Sequence, residues 1–213
     1  ITSLGKPVRE VEIVHSYGGK VFSDVISTKH AKKAAEAGVD GLVLVCNGAG
    51  GHGGTLNPYA FVAEVRQFWD GMIILAGCLT NGRDILSARA LGADFAYMGT
   101  RFIATEEAAA EEGYKEMIID STTQDITYTD AISGVNANFL TKSIIKAGLD
   151  VNNLKKKVEV DISSEAKAWK NIWSAGQGVG SITEVQPLAE VVYQLKAEHD
   201  QALAELTKVG ITS

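Results

Sequence analysis

The sequence predicts an α/β protein built on a parallel sheet, and three observations predict it. From Lys20 to Thr100, short β-rich runs alternate one for one with helical patterns, as right-handed βαβ crossovers require. The runs are continuously apolar, which suits strands covered on both faces. Glycines and polar residues gather after the runs, while the turns before them, AGVD, FWDGM and LGAD, are short. Proteins of this class place their sites at the carboxyl ends of their strands in this lopsided way.

The elements follow in order. KVFSDV (Lys20 to Val25) reads as a strand. STKHAKKAAEAG reads as a helix capped by Ser27 or Thr28, with Ala31, Ala34 and Ala35 facing inward and Gly38 ending it. VDGLVLVC is the next strand. In NPYAFVAEVRQF, Asn57 caps and Pro58 takes the first helical position, where its missing N–H is not needed. Phe61, Val65 and Phe68 then share a face. MIILAG is a strand, TNGRDILSARALGA a helix with Ile85, Ala88 and Leu91 inward, and DFAYMGT a fourth strand. Beyond Thr105 the pattern reads as helical segments without evident strands, ending in PLAEVVYQLKAEHDQALAEL, whose Leu188, Val191, Leu195, Ala202 and Leu206 form an apolar stripe for packing on the body. The division expected is therefore residues 1–107 and residues 108–213.

Composition narrows the function. A chain of 213 residues, 46% hydrophobic and 22% charged, is an ordinary globular one. A formal charge of -6 speaks against a nucleic-acid binder, whose affinity comes from lysines and arginines on phosphates. The run Lys155-Lys156-Lys157 is too short to change that and reads as a solvated turn. No apolar stretch reaches the roughly 18 residues of a membrane span, and the start does not resemble a signal peptide, so a cytoplasmic protein is expected. Cys46 and Cys78 lack metal or redox spacing and read as buried free thiols. His15, His30 and His199 lie among helical or charged residues and read as structural.

Three glycine stretches carry the chemistry. LAGCLTNG and YMGTRF follow consecutive strands one βα unit apart. Such loops let backbone N–H groups converge on an anion, and (β/α)8 barrels often build phosphate sites after their last two strands. Gly77, Gly99 and Thr100 are therefore candidate phosphate ligands, Thr100 adding a hydroxyl. NGAGGHGG follows the preceding strand, so His52 faces the same mouth. Five glycines in eight residues are entropically expensive in an idle loop. They would let the backbone approach a flat ligand and leave the imidazole as the strong acid or base there. No Cys, Asp or Glu stands near enough to suggest a metal site.

Taken together, GAGGH, a βα unit, AG-x-x-x-x-G and LGAD-x-x-x-MGTRF-x-A-T-E-E resemble the nitronate monooxygenases. The likeness continues more loosely through SGVNANFL and IWSAGQG. Members of that family are FMN-dependent TIM-barrel enzymes of (β/α)8 type. The resemblance implies that His52 is the active-site histidine, that Gly77, Gly99 and Thr100 hold the FMN phosphate, and that Gly50 and Gly51 bring the chain close to the ring. Cys78 departs from the pattern, which often has Gly or Ala there, and Asp24 stands where some relatives carry a lysine near the flavin. It also implies that ITSLG is the end of a fourth barrel strand, so that this chain supplies the carboxyl-terminal half of a barrel plus a helical region. Such a half would need the preceding half, and its open edges would invite pairing with another chain, a homo-oligomer included.

On this reading the small-molecule substrate is an alkyl nitronate or a nitroalkane, the oxidant is dioxygen, and no nicotinamide is consumed. Two alternatives stay open: an NAD(P)H-linked enoyl-acyl-carrier-protein or quinone reductase on the same barrel, and a flavin-binding module without catalysis.

Overall fold

The computed structural model describes residues 1–3, 5–154 and 171–209. In chain order the elements are α1 (Val8–His15), β1 (Phe22–Val25), α2 (Thr28–Glu36), β2 (Gly41–Val45), β3 (Gly51–His52), α3 (Pro58–Val65), β4 (Met72–Ala76), α4 (Gly82–Leu91) and β5 (Phe95–Tyr97). They continue as α5 (Thr100–Ile103), α6 (Glu112–Ile119), β6 (Ile126–Thr129), β7 (Ala137–Leu140), α7 (Thr141–Lys146) and α8 (Leu188–Val209). The lysine run at 155–157 lies outside the described residues.

The first half meets its expectation of a parallel sheet. β1, β2, β4 and β5 lie side by side in that order, every pairing parallel, with Val43 opposite Ile74 and Ile74 opposite Phe95. Thr2 adds a parallel bridge to Ser23 on the outer side of β1. The helices start where the caps said: Ser27 accepts from the His30 N–H (3.3 Å) and Asn57 from the Tyr59 N–H (3.0 Å). One face of the sheet packs Leu42, Leu44, Ile73 and Leu75 against Phe61, Val62 and Val65 of α3 and Ala31 and Ala34 of α2. Each fully buried side chain of that size contributes about 1.5–3 kcal/mol. β2, in the middle, is buried at every residue. The expected cover on both faces fails at β5, an edge strand on which Phe95 and Tyr97 remain 55% and 47% exposed.

The amino ends of these strands carry a device used twice. After α2, Gly38 turns the chain and Asp40 exchanges two hydrogen bonds with Val21: its N–H donates to the Val21 carbonyl and its carboxylate accepts the Val21 N–H, both at 2.8 Å. After α4, Asp94 does the same with Ile73, again at 2.8 Å twice. The turns AGVD and LGAD are thus clasps that tie each strand's start to its neighbour. Lys20 and His15 also reach Asp40 at 2.8 Å. Burial raises the Asp40 pKa, but the hydrogen bonds from Lys20, the Val21 N–H and His15 outweigh it and hold the carboxyl well below the usual carboxylate range.

The second half differs from expectation. Instead of helical segments alone, β6 and β7 form an antiparallel hairpin, and β3 joins β7 to make a second sheet of order β3-β7-β6. The β-branched run ITYT supplies one strand and the fully buried ANFL the other. A four-residue strand gives too short a period to read from sequence alone. The final helix does pack on the body, and specifically on α4: a Cβ at Gly82 would overlap the backbone of Leu195 and His199, and the Gly82 N–H donates to Glu198 Oε2 (2.7 Å). Val191, Leu195 and Ala202 are buried by this contact, whereas Leu188 and Leu206 are exposed, because α4 is half the length of α8.

Asp40→Ala should lower the unfolding free energy at pH 7 by about 1–2 kcal/mol, the net worth of hydrogen bonds to a partly screened carboxylate. A carboxyl with a depressed folded-state pKa stabilises above its unfolded value and loses that contribution as pH falls. The gap between variant and wild type should therefore close below about pH 4, as read from denaturation curves at several pH values.

Candidate functional site

At the carboxyl ends of the parallel strands the loops after β2, β4 and β5 surround a cleft of about 290 Å³. Of the residues expected to form a site, His52, Gly50, Gly77, Gly99 and Thr100 all line it. Gly51 does not; its φ of +72° instead turns the chain into β3, where it pairs with Asn138. Asp24 at the end of β1 lines the cleft too.

What assembles the cleft is the stretch 174–178, which sequence reasoning had not given a role. The Thr100 hydroxyl accepts the Gly176 N–H (2.9 Å), and the Gln177 N–H donates to the Gly48 carbonyl (2.8 Å). A Cβ at Gly176 would sit 2.8 Å from the Gly48 carbonyl oxygen, and one at Gly50 would sit 2.8 Å from the Gly176 nitrogen. Two backbones meet here at a distance that side chains would forbid. The stretch is held from behind: the Leu140 N–H donates to the Trp173 carbonyl (2.8 Å), Phe139 bridges Ser174, the Tyr114 hydroxyl donates to the Ser174 carbonyl, and Tyr114 stacks on Trp173 at 5.1 Å. The glycine pair in SAGQG was the signal that could have found it.

Several glycines of NGAGGHGG thus serve the chain's own packing. Gly99 is different, since a Cβ there meets nothing within 4 Å and would project into open space. Among the described residues nothing accepts from the amides of Gly99 or Thr100. The Thr100 hydroxyl, having accepted from Gly176, keeps its own proton for donation.

His52 sits on β3, paired with Ala137, so the hairpin rather than a free loop positions it. Its Nε2 lies 3.2 Å from Ser133 Oγ. Ser133 gives its one proton to the Val135 carbonyl (2.9 Å), so it meets the imidazole as an acceptor and Nε2 carries the proton in that contact. The hairpin also holds the glycine loop, through Asn138 Nδ2 to the Ala49 carbonyl (2.7 Å) and the Tyr128 hydroxyl to the Gly53 carbonyl (3.0 Å).

The cysteines divide. Cys46 is buried as expected, and burial pushes its thiol up to about 12. Cys78 is not buried: it is exposed at the cleft in the left-handed region, φ +59°, uncommon for a residue with a side chain. The remaining histidines bond locally, His15 to Asp40 (2.8 Å) and the half-buried His199 to Asp200 (3.2 Å), while the exposed His30 borders a chamber beside the cleft. Among the described residues no helix is long and apolar enough to cross a membrane.

Residues 1–198 match the nitronate monooxygenase family. The nitronate monooxygenase of Paraburkholderia phytofirmans is 28% identical over 209 residues, 89% of this chain and 57% of that protein. A (3aS,4S,5R,7aS)-5-hydroxy-7a-methyl-1-oxo-octahydro-1H-indene-4-carboxyl-CoA dehydrogenase of Rhodococcus jostii is 28% identical over 130 residues, 61% of this chain and 37% of that protein. In fold, a FabK mutant from Thermotoga maritima superposes with a TM-score of 0.79 at 24% identity, over 97% of this chain and 68% of that one. The chain spans a little over half the length of the nitronate monooxygenase it matches.

Gly50→Ala and Gly99→Ala should part company in stability. The first forces the loops after β2 and around Gly176 apart and should cost about 1–3 kcal/mol. The second meets open space and should stay within about 0.5 kcal/mol of wild type. Paired chemical denaturation of the two variants measures the difference.

Proposed function

The chain belongs to the nitronate monooxygenase family, and from that premise we propose that the natural protein is an FMN-dependent oxidoreductase that oxidises alkyl nitronates with dioxygen. The observation that carries this reading is the convergence of His52 and the Gly77 and Gly99–Thr100 loops on one cleft. In the same reading the four parallel strands are four consecutive strands of a (β/α)8 barrel, which the likeness in fold supports.

The residues present fit an FMN phosphate. No lysine or arginine is among the described residues lining the cleft, so an anion there would rest on the amides of Gly99 and Thr100, the Thr100 hydroxyl and the turn at Gly77, whose φ is +122°. Backbone groups of this kind bind phosphate without a cationic side chain. The chemistry that FMN supplies when bound is uptake of electrons from the substrate and their delivery to dioxygen.

His52 has two tasks on this account. With a preformed nitronate it orients the substrate and offsets its negative charge. With a neutral nitroalkane it also takes the carbon-bound proton. The Ser133 contact and the β3–β7 pairing keep the ring in one orientation for both. Ser174, Gly176 and Gly178 of the 174–178 stretch form one wall of the cleft.

A second reading is a flavin-dependent dehydrogenase acting on a coenzyme A thioester, favoured by the likeness to the Rhodococcus jostii enzyme. Both chemistries begin at an acidic carbon next to an oxygen-bearing group. Anaerobic mixing of the flavin-loaded natural chain separates them. Bleaching of the yellow colour by propyl-1-nitronate supports the first reading. Bleaching by an acyl-CoA alone supports the second, and bleaching by NADH alone contradicts both.

Gly99→Leu should fill the open space at the cleft and lower FMN occupancy severalfold, read as flavin absorbance per protein. His52→Asn should keep its flavin yet lose about 10²–10⁴-fold in rate with a neutral nitroalkane. With preformed nitronate the loss should be smaller and fall mainly on KM. Oxygen consumption with both forms of one substrate measures the split, and equal losses would take proton transfer away from His52.

A further inference from the structure

Beside the cleft lies a second chamber of about 760 Å³, and three residues, Asp24, Val45 and His52, line both. Anything that spans the boundary meets an imidazole, an apolar side chain and a carboxyl. The carboxyl is unusual. Asp24 Oδ1 is sealed from water and, among the described residues, accepts no hydrogen bond. Oδ2 is not among the sealed atoms and, among the described residues, has no hydrogen-bond partner, while Asp24 borders both cavities. The backbone beneath is fixed, since the Asp24 N–H donates to the Thr2 carbonyl at 2.8 Å. Burial pushes the carboxyl's pKa up.

A carboxylate with one oxygen shut away from every donor is an expensive arrangement. A neutral acid is not: the sealed oxygen becomes a carbonyl, and the proton sits on the oxygen that faces the ligand space. Carboxylic acids kept neutral by their surroundings are effective hydrogen-bond donors in enzymes. We propose that Asp24 is a specificity-determining residue that stands as a neutral acid and donates its Oδ2–H to an acceptor oxygen of the substrate beside His52. The inference rests on the cleft being the substrate site. It deepens that reading, because it selects substrates with an acceptor oxygen on the atom bonded to the reacting carbon, whether the oxygen of a nitronate or the carbonyl of a thioester.

The groups that face Asp24 are His52, Cys78 and Tyr97 across the cleft, and Lys6, His30, Lys33 and Tyr128 around the chamber. Lys6 is engaged by Glu36 at 3.4 Å. None of these cations acts on Asp24 strongly enough to counter its burial.

The test uses the flavin-loaded natural chain with Asp24→Asn, which keeps a donor but cannot ionise, and Asp24→Leu, which has neither property. Carboxyl carbon NMR should show one aspartate titrating above the ordinary value near 3.9, and that signal should vanish in Asp24→Asn. Because a raised folded-state pKa favours folding at low pH and loses that contribution as pH rises, Asp24→Asn should melt higher than wild type at pH 8 and no higher at pH 4. With propyl-1-nitronate or an acyl-CoA, whichever the enzyme turns over, KM should climb with pH in wild type as the acid ionises and stay level in Asp24→Asn. Asp24→Leu should raise KM about tenfold at pH 7, the worth of one lost hydrogen bond, with kcat changed less. An aspartate that titrates at its ordinary value, or Asn and Leu variants with equal KM, would overturn the proposal. If wild type turns over neither substrate, the cleft reading fails, while the carboxyl titration still decides the state of Asp24.

Discussion

Two backbones pass within hydrogen-bonding reach at Gly176, and the cleft depends on that approach. Thr100 Oγ1 accepts the Gly176 N–H and Gly48 accepts the Gln177 N–H, so the loop after β5, the loop after β2 and the stretch 174–178 share one junction. The third loop joins at the same place, since a Cβ at Gly178 would come 2.7 Å from Thr80 Cγ2. Strand ends that would otherwise splay are held as one wall. Residues far apart in sequence, His52 from one loop and Gly99 from another, then face the same space.

The opposite ends of the strands show the complementary solution. Asp40 and Asp94 each clasp the preceding strand through a pair of 2.8 Å hydrogen bonds. Rigidity is thus invested at the amino ends in carboxylate clasps, and at the carboxyl ends in glycines that permit close approach. Chemistry is free to occupy one end because the other fixes the register. The antiparallel hairpin adds what the parallel sheet lacks, a rigid seat for the imidazole through β3–β7 pairing and Ser133.

Much of this was legible in the sequence. The strand and helix order, the caps at Ser27 and Asn57, and the gathering of glycines at one end follow from local chemistry that a few neighbouring residues specify. The hairpin was not, because ITYT and ANFL are each too short to show a period and become strands through burial and through pairing with distant Gly51 and His52. For the same reason the contact that Gly50 makes within the chain was not legible. Glycine density signals close approach, yet a sequence does not say whether the approaching body is a ligand or another stretch of the chain, and at Gly50 it is Ala175 and Gly176. The exposed β5 side chains and the exposed Cys78 likewise depend on what lies beside the strand, which no local pattern records.

The central claim is that one cleft, at the carboxyl ends of the parallel strands, holds the flavin against His52. Amide chemical-shift mapping of the natural chain titrated with FMN tests it most directly. The account predicts that the largest changes fall on Gly77, Gly99, Thr100 and residues 174–178, with a smaller change at His52 and none at the Asp40 and Asp94 clasps. Changes centred on those clasps or on α8, or a titration that leaves the Gly99 and Thr100 amides unmoved while FMN binds, would contradict it.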